Sequence, residues 1–410
     1  MATAAANQKA TWPERRFLAV LGMPTLALAL GVTMVSSFAP LFLAELTGAL
    51  LAGMLIASEG VFAFIVPTLV GRWSDRMPGG RLGSRLPFLL VAAPLGAAGL
   101  LLIPLAGRSI GLIALGVAMF YVAYFAYFAP YMALYPDLVP DRLRGRSQGS
   151  VGLWREAGLG LALVAGGLLL SLWRPLPFVM AAVVLLGLTA LFTLRVRARA
   201  TGHDGQRSAR ASGVATRDLL RRSPQLRAAL AANALWETAL NALRAFVLLF
   251  FTVGLGRSPS FASAVFAVVA VAAFVAAPVA GTLADRFGHR RVMTVALWIY
   301  GIGVLAPLFS QATWVIAVVL PVAFAAATVM TLPFGLVMGL MADDDHGAAA
   351  GLFASSRGVG LIAGPLLAGG AVALSEVLDL LPATNGYAAI FAVAGLALLA
   401  SLPLLRRTRL

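Results

Sequence analysis

Apolar stretches of about twenty residues follow one another along nearly the whole chain. A helix needs about that length to cross the hydrocarbon core of a bilayer. Only helices and closed barrels satisfy their own backbone there. Windows of this size predict twelve helices, at 17–43, 50–70, 87–106, 110–136, 148–172, 176–194, 228–254, 261–282, 292–309, 313–340, 348–373 and 387–404. Composition agrees, with 60% hydrophobic and 11% charged residues, against about 25% charged in a soluble domain. The expectation is an all-α, multi-pass protein of the cytoplasmic membrane with the lipid bilayer as its solvent. Cysteine is absent, which removes disulfides and thiolate metal sites; no metal or other cofactor is expected.

The basic residues orient the spans. With both termini cytoplasmic, 25 of the 31 Lys and Arg fall in inner segments. Only Arg108, Arg174 and Arg257 fall in outer loops, and Arg155, Arg244 and Arg357 lie inside spans. That asymmetry is a positive-inside signal. It assigns the net charge of +15 to topology and anionic lipid, so nucleic acid is not an expected partner. Residues 1–16 read as a cytoplasmic tail, and the apolar run after them as the first span rather than a removable signal peptide. Residues 17–194 and 228–404 form two six-helix bundles, 195–227 an Arg-, Ser- and Gly-rich cytoplasmic linker, and 405–410 a C-terminal tail. Part of that linker, near 214–222, has the pattern of an amphipathic surface helix.

The halves repeat each other. GRWSDR at 71–76 and GTLADRFGHRR at 281–291 share Gly, three residues, then Asp-Arg, at Gly71, Asp75, Arg76 and Gly281, Asp285, Arg286. Pro130-Tyr131, Gly145, Gly149 and Arg155 align with Pro333-Phe334, Gly347, Gly351 and Arg357 once one residue is deleted. Two parallel six-helix repeats with a site at their interface suit a rocking carrier.

GTLADRFGHRR resembles the cytoplasmic signature of the major facilitator superfamily, and the likeness extends over essentially the whole chain. RLGSRLPF at 81–88 and PYMALYPDLVPDRLRGRSQG at 130–149 are similar to the sucrose-transporter and glycoside–pentoside–hexuronide branches. The resemblance implies a secondary transporter. It also implies that Gly71, Asp75, Arg76, Gly281, Asp285 and Arg286 form a cytoplasmic gate, with Asp75 and Asp285 held near helix N-termini. Melibiose-type members carry acidic cation ligands where this chain has Phe62, Val66 and Phe128, which argues against that kind of sodium coupling. Gly351, Gly360, Gly364-Pro365 and Gly369-Gly370 are similar to the Gly-Pro motif of drug–proton antiporters, though on the eleventh span instead of the fifth. Close helix packing through small residues explains that stretch equally.

Glu59, Arg155, Glu156, Glu237, Arg244 and Arg357 are predicted inside spans. A charge there costs about 2.5–3.5 kcal/mol and is kept where it faces water or a partner. Asn233, Glu237, Asn241 and Arg244, spaced 4, 4 and 3, make one stripe on the seventh span. A solute cavity or a polar packing seam would both use it. The fourth span carries five of the seven tyrosines, with Tyr124, Phe128, Tyr131 and Tyr135 on one face, either as a wet stacking surface or as ordinary packing. Arg155 and Arg357 approach the midplane as forks for oxygen-rich partners; Glu156, about 100° around the helix from Arg155, is expected to serve another partner. The expected substrate-binding set is Asn233, Glu237, Asn241, Arg244, Tyr124, Tyr131, Arg155 and Arg357. The proton carriers are Glu59, Glu156 and Glu237. Asp343-Asp344-Asp345 is either a helix cap or a solvated turn.

No enzyme is expected. GRSQG at 145–149 matches a nucleophile elbow only in letters, since the elbow needs strand, turn and helix. All three histidines are predicted in loops, and no P-loop is present. The reading is a proton-coupled carrier of a small molecule, a sugar or glycoside. Antiport of drug-like amphiphiles, or a non-transporting membrane sensor, are the alternatives.

Overall fold

The computed structural model describes residues 12–76, 85–139, 143–200, 220–221, 223–310, 314–338, 340 and 346–408. The tail before residue 12, most of the linker, and the Asp343-Asp344-Asp345 run lie outside these residues. So do the side chains of Asp75, Arg76 and Asp285.

The described residues are helical almost throughout. The helices are α1 Trp12–Gly22, α2 Pro24–Thr33, α3 Ala39–Arg76, α4 Leu86–Leu105, α5 Ile110–Leu138, α6 Arg144–Leu172 and α7 Leu176–Ala200. Then come α8 Pro224–Leu249, α9 Pro259–Phe287, α10 His289–Gly303, α11 Ala306–Phe309, α12 Trp314–Thr331, α13 Pro333–Met338, α14 His346–Val377 and α15 Ala389–Arg406. Eleven helical stretches among the described residues are long and apolar enough to cross a membrane. The expected tenth span, 313–340, is interrupted instead. Helix α12 ends at Thr331 and α13 starts at Pro333, because proline disfavours helical backbone in the residue before it. Large apolar side chains such as Val91, Leu105, Phe274 and Leu374 are exposed, as lipid-facing side chains are.

Gly48 settles where the first two spans part. Its φ of 74° breaks the run from Ala39 to Arg76, a conformation glycine adopts without a Cβ penalty. The sixth span parts from the fifth at Trp173–Pro175.

Two compact units result. One comprises Met1–Phe42 and Phe62–Ser208, the other Leu43–Val61 and Ala209–Leu410. The middle of α3 therefore groups with the C-terminal helices. In the first unit, α2 packs on α6 and α7, and α4 on α5 and α7. In the second, α8 packs on α14 and α15, and α10 on α12 and α15. Each half thus joins its first helix to its fifth and sixth, and its third to its fourth and sixth. Both first helices also end in a single π turn, Met34–Phe38 and Phe250–Gly254.

Glycine sets the close approaches. In the first unit, a Cβ on Gly158 would meet the Leu26 carbonyl oxygen at 2.3 Å, and one on Gly99 the Phe120 amide at 2.7 Å. Small residues let helix backbones touch where lipid supplies no hydrophobic drive.

Candidate functional site

Helix α8 starts cleanly. Ser223 accepts from the Leu226 amide at its N-cap, and Pro224 occupies the first turn, where its missing N–H costs nothing. From there the 3.6-residue period brings Asn233, Glu237, Asn241 and Arg244 onto one face. That face meets α14 and the middle of α3. Asn233, Glu237 and Asn241 are buried.

The stripe is the core of a charged ladder. Arg357 of α14 places Nε 3.2 Å from Glu237 Oε1. Asn241 donates from Nδ2 to the Glu237 carbonyl at 2.8 Å and to Oε2 at 3.3 Å. Asn233 Nδ2 donates to Ser356 Oγ at 2.9 Å. Arg244 Nη1 stands 3.8 Å from Oε1 of Glu59, on the segment of α3 that belongs to this unit. Two carboxylates and two guanidiniums from three helices therefore balance. The balance is uneven in accessibility: the Arg244 side chain is 18% exposed and that of Arg357 47%.

Helix α14 can come this close because it carries glycine where α8 and α3 press on it. A Cβ on Gly360 would lie 2.3 Å from Glu237 Cβ, and one on Gly364 2.7 Å from the Thr238 carbonyl oxygen. Gly53 faces the Pro365 carbonyl, and Gly369 that of Ala49, at 2.4 and 2.6 Å. Gly360, Gly364 and Gly369 of the Gly-Pro stretch are thus taken up in packing, whereas nothing lies within 4 Å of a Cβ on Gly351. On the far side of α8, Trp236 Nε1 donates to Ser401 Oγ of α15 at 2.7 Å.

The other substrate-binding and proton-carrying candidates belong to the first unit. Arg155 and Glu156 do not serve separate partners. They pair with each other, Nη2 to Oε1 at 2.7 Å and Nε to Oε1 at 3.1 Å, and both are exposed, by 53% and 61%. The arginine stem is long enough to swing its head across the 100° that separates the two Cα–Cβ bonds. Tyr131 does not line a wet face. It is fully buried, and its hydroxyl donates to the Leu21 carbonyl at 2.7 Å and lies 2.7 Å from that of Tyr135. Tyr135 reaches the same carbonyl at 2.8 Å. The break at Met23–Pro24 leaves the carbonyls of the preceding turn short of backbone donors, and the tyrosines supply them. Tyr124 is half-buried and stacks on Phe128, with centroids 6.0 Å apart and ring planes 7° apart.

Gly71 and Gly281 are half-buried helical residues with nothing within 4 Å of an added Cβ. Arg286 lies over the Phe287 ring at 5.3 Å, and Gly288, at φ 87°, closes α9. The GRSQG run sits in the first turns of α6, with helix α5, not a strand, before it.

What the sequence could not reveal is the pairing. Glu59 was legible as a buried charge, but nothing in the spacing linked it to Arg244, 185 positions on. Ser356, next to Arg357, carried no signal of its own.

A family model described as Major Facilitator Superfamily matches residues 22–256 and 238–409. No curated protein matches the chain. Among solved structures, the nucleoside transporter NupG (D323A mutant) is 14% identical with a TM-score of 0.75, over 96% of this chain and 99% of that one. A bacterial homolog to the human lysosomal transporter Spinster, inward-facing and occupied, is 14% identical with a TM-score of 0.76, over 97% of each. The POT family transporter PepTSo is 13% identical with a TM-score of 0.71, over 98% of each. At such identities the likeness is one of fold.

Proposed function

The chain belongs to the major facilitator superfamily, and from that premise we propose that it is a secondary active transporter that moves a small solute, a sugar or glycoside, across the cytoplasmic membrane by proton-coupled alternating access. The observation that carries this reading is the ladder of Glu59, Glu237, Arg244 and Arg357. A buried ion pair is weak evidence for stability, since apolar packing serves as well, and ionisable groups inside a membrane protein mark pathways and proton relays.

In this reading both termini are cytoplasmic and the twelfth span is completed by the interrupted segment at 313–340. The bundles are 17–194 and 228–404, joined by the linker at 195–227. Glu59 and Glu237 exchange the proton, with Glu156 on α6 as a third carrier. Asn233, Asn241, Arg244 and Arg357 contact the solute, and Arg155 and Tyr124 add to it from the other repeat. Gly71, Asp75, Arg76, Gly281, Asp285 and Arg286 form the cytoplasmic gate. Support for a sugar comes from the two branch-like segments at 81–88 and 130–149 and from the half-buried Tyr124–Phe128 stack. The alternative is proton antiport of drug-like amphiphiles, suggested by the Gly-Pro stretch on α14, of which Gly360, Gly364 and Gly369 make close helix contacts.

The test is a pH jump on reconstituted protein with labelled sugars. Glu59→Gln, Glu156→Gln and Glu237→Gln together are expected to abolish proton-driven uptake. If flux and its pH dependence survive the triple substitution, these carboxylates do not couple protons.

A further inference from the structure

Within the second unit, α10 and α15 cross closely. A Cβ on Gly395 would meet the Gly301 carbonyl oxygen at 3.1 Å, and one on Gly301 the Leu399 side chain at 2.9 Å. Leu305, just past α10, packs on Gly395 as well. Later residues of one helix thus meet earlier residues of the other, and the two run antiparallel. Arg290 lies eleven residues before Gly301, and Arg406 eleven residues after Gly395. Eleven residues are about three turns, so each arginine returns to within about 20° of its glycine and stands about 16 Å from it along the axis. Both therefore sit at the same end of the pair, on the faces that meet, with Arg291 and Arg407 beside them. All four are exposed. Among the described residues, none of their guanidiniums takes part in an ion pair. Neither helix carries an acidic residue, and at the end of α9 Asp285 and Arg286 add equal and opposite charge.

An apolar stripe leads away from each outer arginine. Arg291, Trp298 and Ile302 are spaced 7 and 4 along α10, and Leu396, Pro403 and Arg407 are spaced 7 and 4 along α15. Each set keeps one face. Both faces lie roughly 60–120° round from the line of contact, in the same rotational sense. For antiparallel neighbours that is the same side of the pair. Trp298, Ile302 and Leu396 are 44%, 57% and 66% exposed. The two stripes make a groove that is apolar along its length and basic at one end.

We propose that this groove holds an anionic phospholipid, its phosphate on Arg290, Arg291, Arg406 and Arg407 and an acyl chain along Trp298, Ile302 and Leu396. Guanidinium forks match phosphate oxygens two at a time. Four of them on two helices with no acidic residue repel one another until an anion arrives. The apolar stripes choose the occupant: a free anion would use only the arginines, whereas a phospholipid uses both ends of the groove. A basic cluster that close to a bilayer surface draws anionic headgroups, and tryptophan suits the interface where headgroup and chain meet. The site is independent of the solute and of the charged ladder on α8.

The full chain, purified in a neutral detergent, is titrated with phosphatidylglycerol or with phosphatidylcholine of the same acyl chains, and bound lipid is counted by native mass spectrometry. An arginine near an anionic surface is worth about fivefold in binding. The wild type is therefore expected to bind phosphatidylglycerol at least about tenfold more tightly than phosphatidylcholine. Arg290→Gln/Arg291→Gln/Arg406→Gln/Arg407→Gln should lose that preference and keep its melting temperature. A control lacking four exposed arginines elsewhere, Arg15→Gln/Arg195→Gln/Arg221→Gln/Arg227→Gln, should retain it. Should the first variant fail to fold, the doubles Arg290→Gln/Arg291→Gln and Arg406→Gln/Arg407→Gln are each expected to weaken phosphatidylglycerol binding about tenfold or more. Equal loss in groove and control variants reduces the attraction to net charge and overturns the site, as does a wild type without preference. Glycerophosphoglycerol, the headgroup without its chains, should bind at least about tenfold more weakly than the lipid. Equal affinity would make this a free-anion site and overturn the lipid assignment.

Discussion

At the scale of single residues, the two ion pairs of the ladder differ in what they can tolerate. Glu59 and Arg244 are both largely buried, so removing Glu59 takes away the carboxylate nearest to Arg244, whose Nε already lacks a hydrogen-bond partner. Glu59→Gln is expected to cost roughly 3 kcal/mol of stability, measured by unfolding in detergent, and the double Glu59→Gln/Arg244→Gln should recover most of it. A strictly additive cycle would show that the 3.8 Å contact carries no coupling. Tyr131 makes a contrasting prediction. Its hydroxyl is spent on the Leu21 carbonyl, which Tyr135 also reaches, so Tyr131→Phe is expected to cost about 0.5–1.5 kcal/mol and to leave the apparent KM of transport unchanged. Tyr124→Ala, which removes a half-buried ring stacked on Phe128, should raise that KM.

At the scale of helices, glycine decides which contacts are possible. Gly360 and Gly364 let the α14 backbone lie directly on α8 at the level of Glu237 and Asn241. Gly360→Val would place carbon where Glu237 already stands. The expected loss is about 1–3 kcal/mol or more, with the Arg357–Glu237 pair disturbed at the same time. Gly281→Ala is the control, because nothing lies near its Cβ position. Its folding stability should hold or rise by roughly 0.5–1 kcal/mol through helix propensity. A fall in flux without a fall in melting temperature would then support the gate assigned to the last turns of α9. The same logic gives three glycines of the Gly-Pro stretch a packing role, Gly360 and Gly364 against α8 and Gly369 against α3.

For the molecule as a whole, the distribution of arginine predicts the topology, and the absence of cysteine makes it easy to check. Arg108→Cys and Arg257→Cys lie on exposed turns and should react with an impermeant maleimide added outside intact cells. Arg290→Cys, exposed at the start of α10, should react only after permeabilisation. Labelling of all three from one side would invalidate the inside assignment of the basic loops. The duplicated neighbour pattern, first helix on fifth and sixth, third on fourth and sixth, belongs to this scale too. It appears in both units although their sequences share only a few aligned letters.

The sequence by itself determined the solvent, the helical class and the polar stripe on α8. Each of these depends on local hydropathy or on a 3.6-residue period, both of which are written along the chain. It also contained the two repeats, because Asp75 and Asp285 keep the same place in each half. Only the tertiary structure decided the partners. That Glu237 holds Arg357, that Glu59 falls short of Arg244, that Arg155 turns to its own neighbour Glu156, and that four tyrosines of α5 are buried are matters of which helix lies against which. Those contacts join residues more than a hundred positions apart or depend on a side chain's rotamer. Neither is encoded in spacing; both come from glycine-mediated packing and from the need of every buried polar group for a partner.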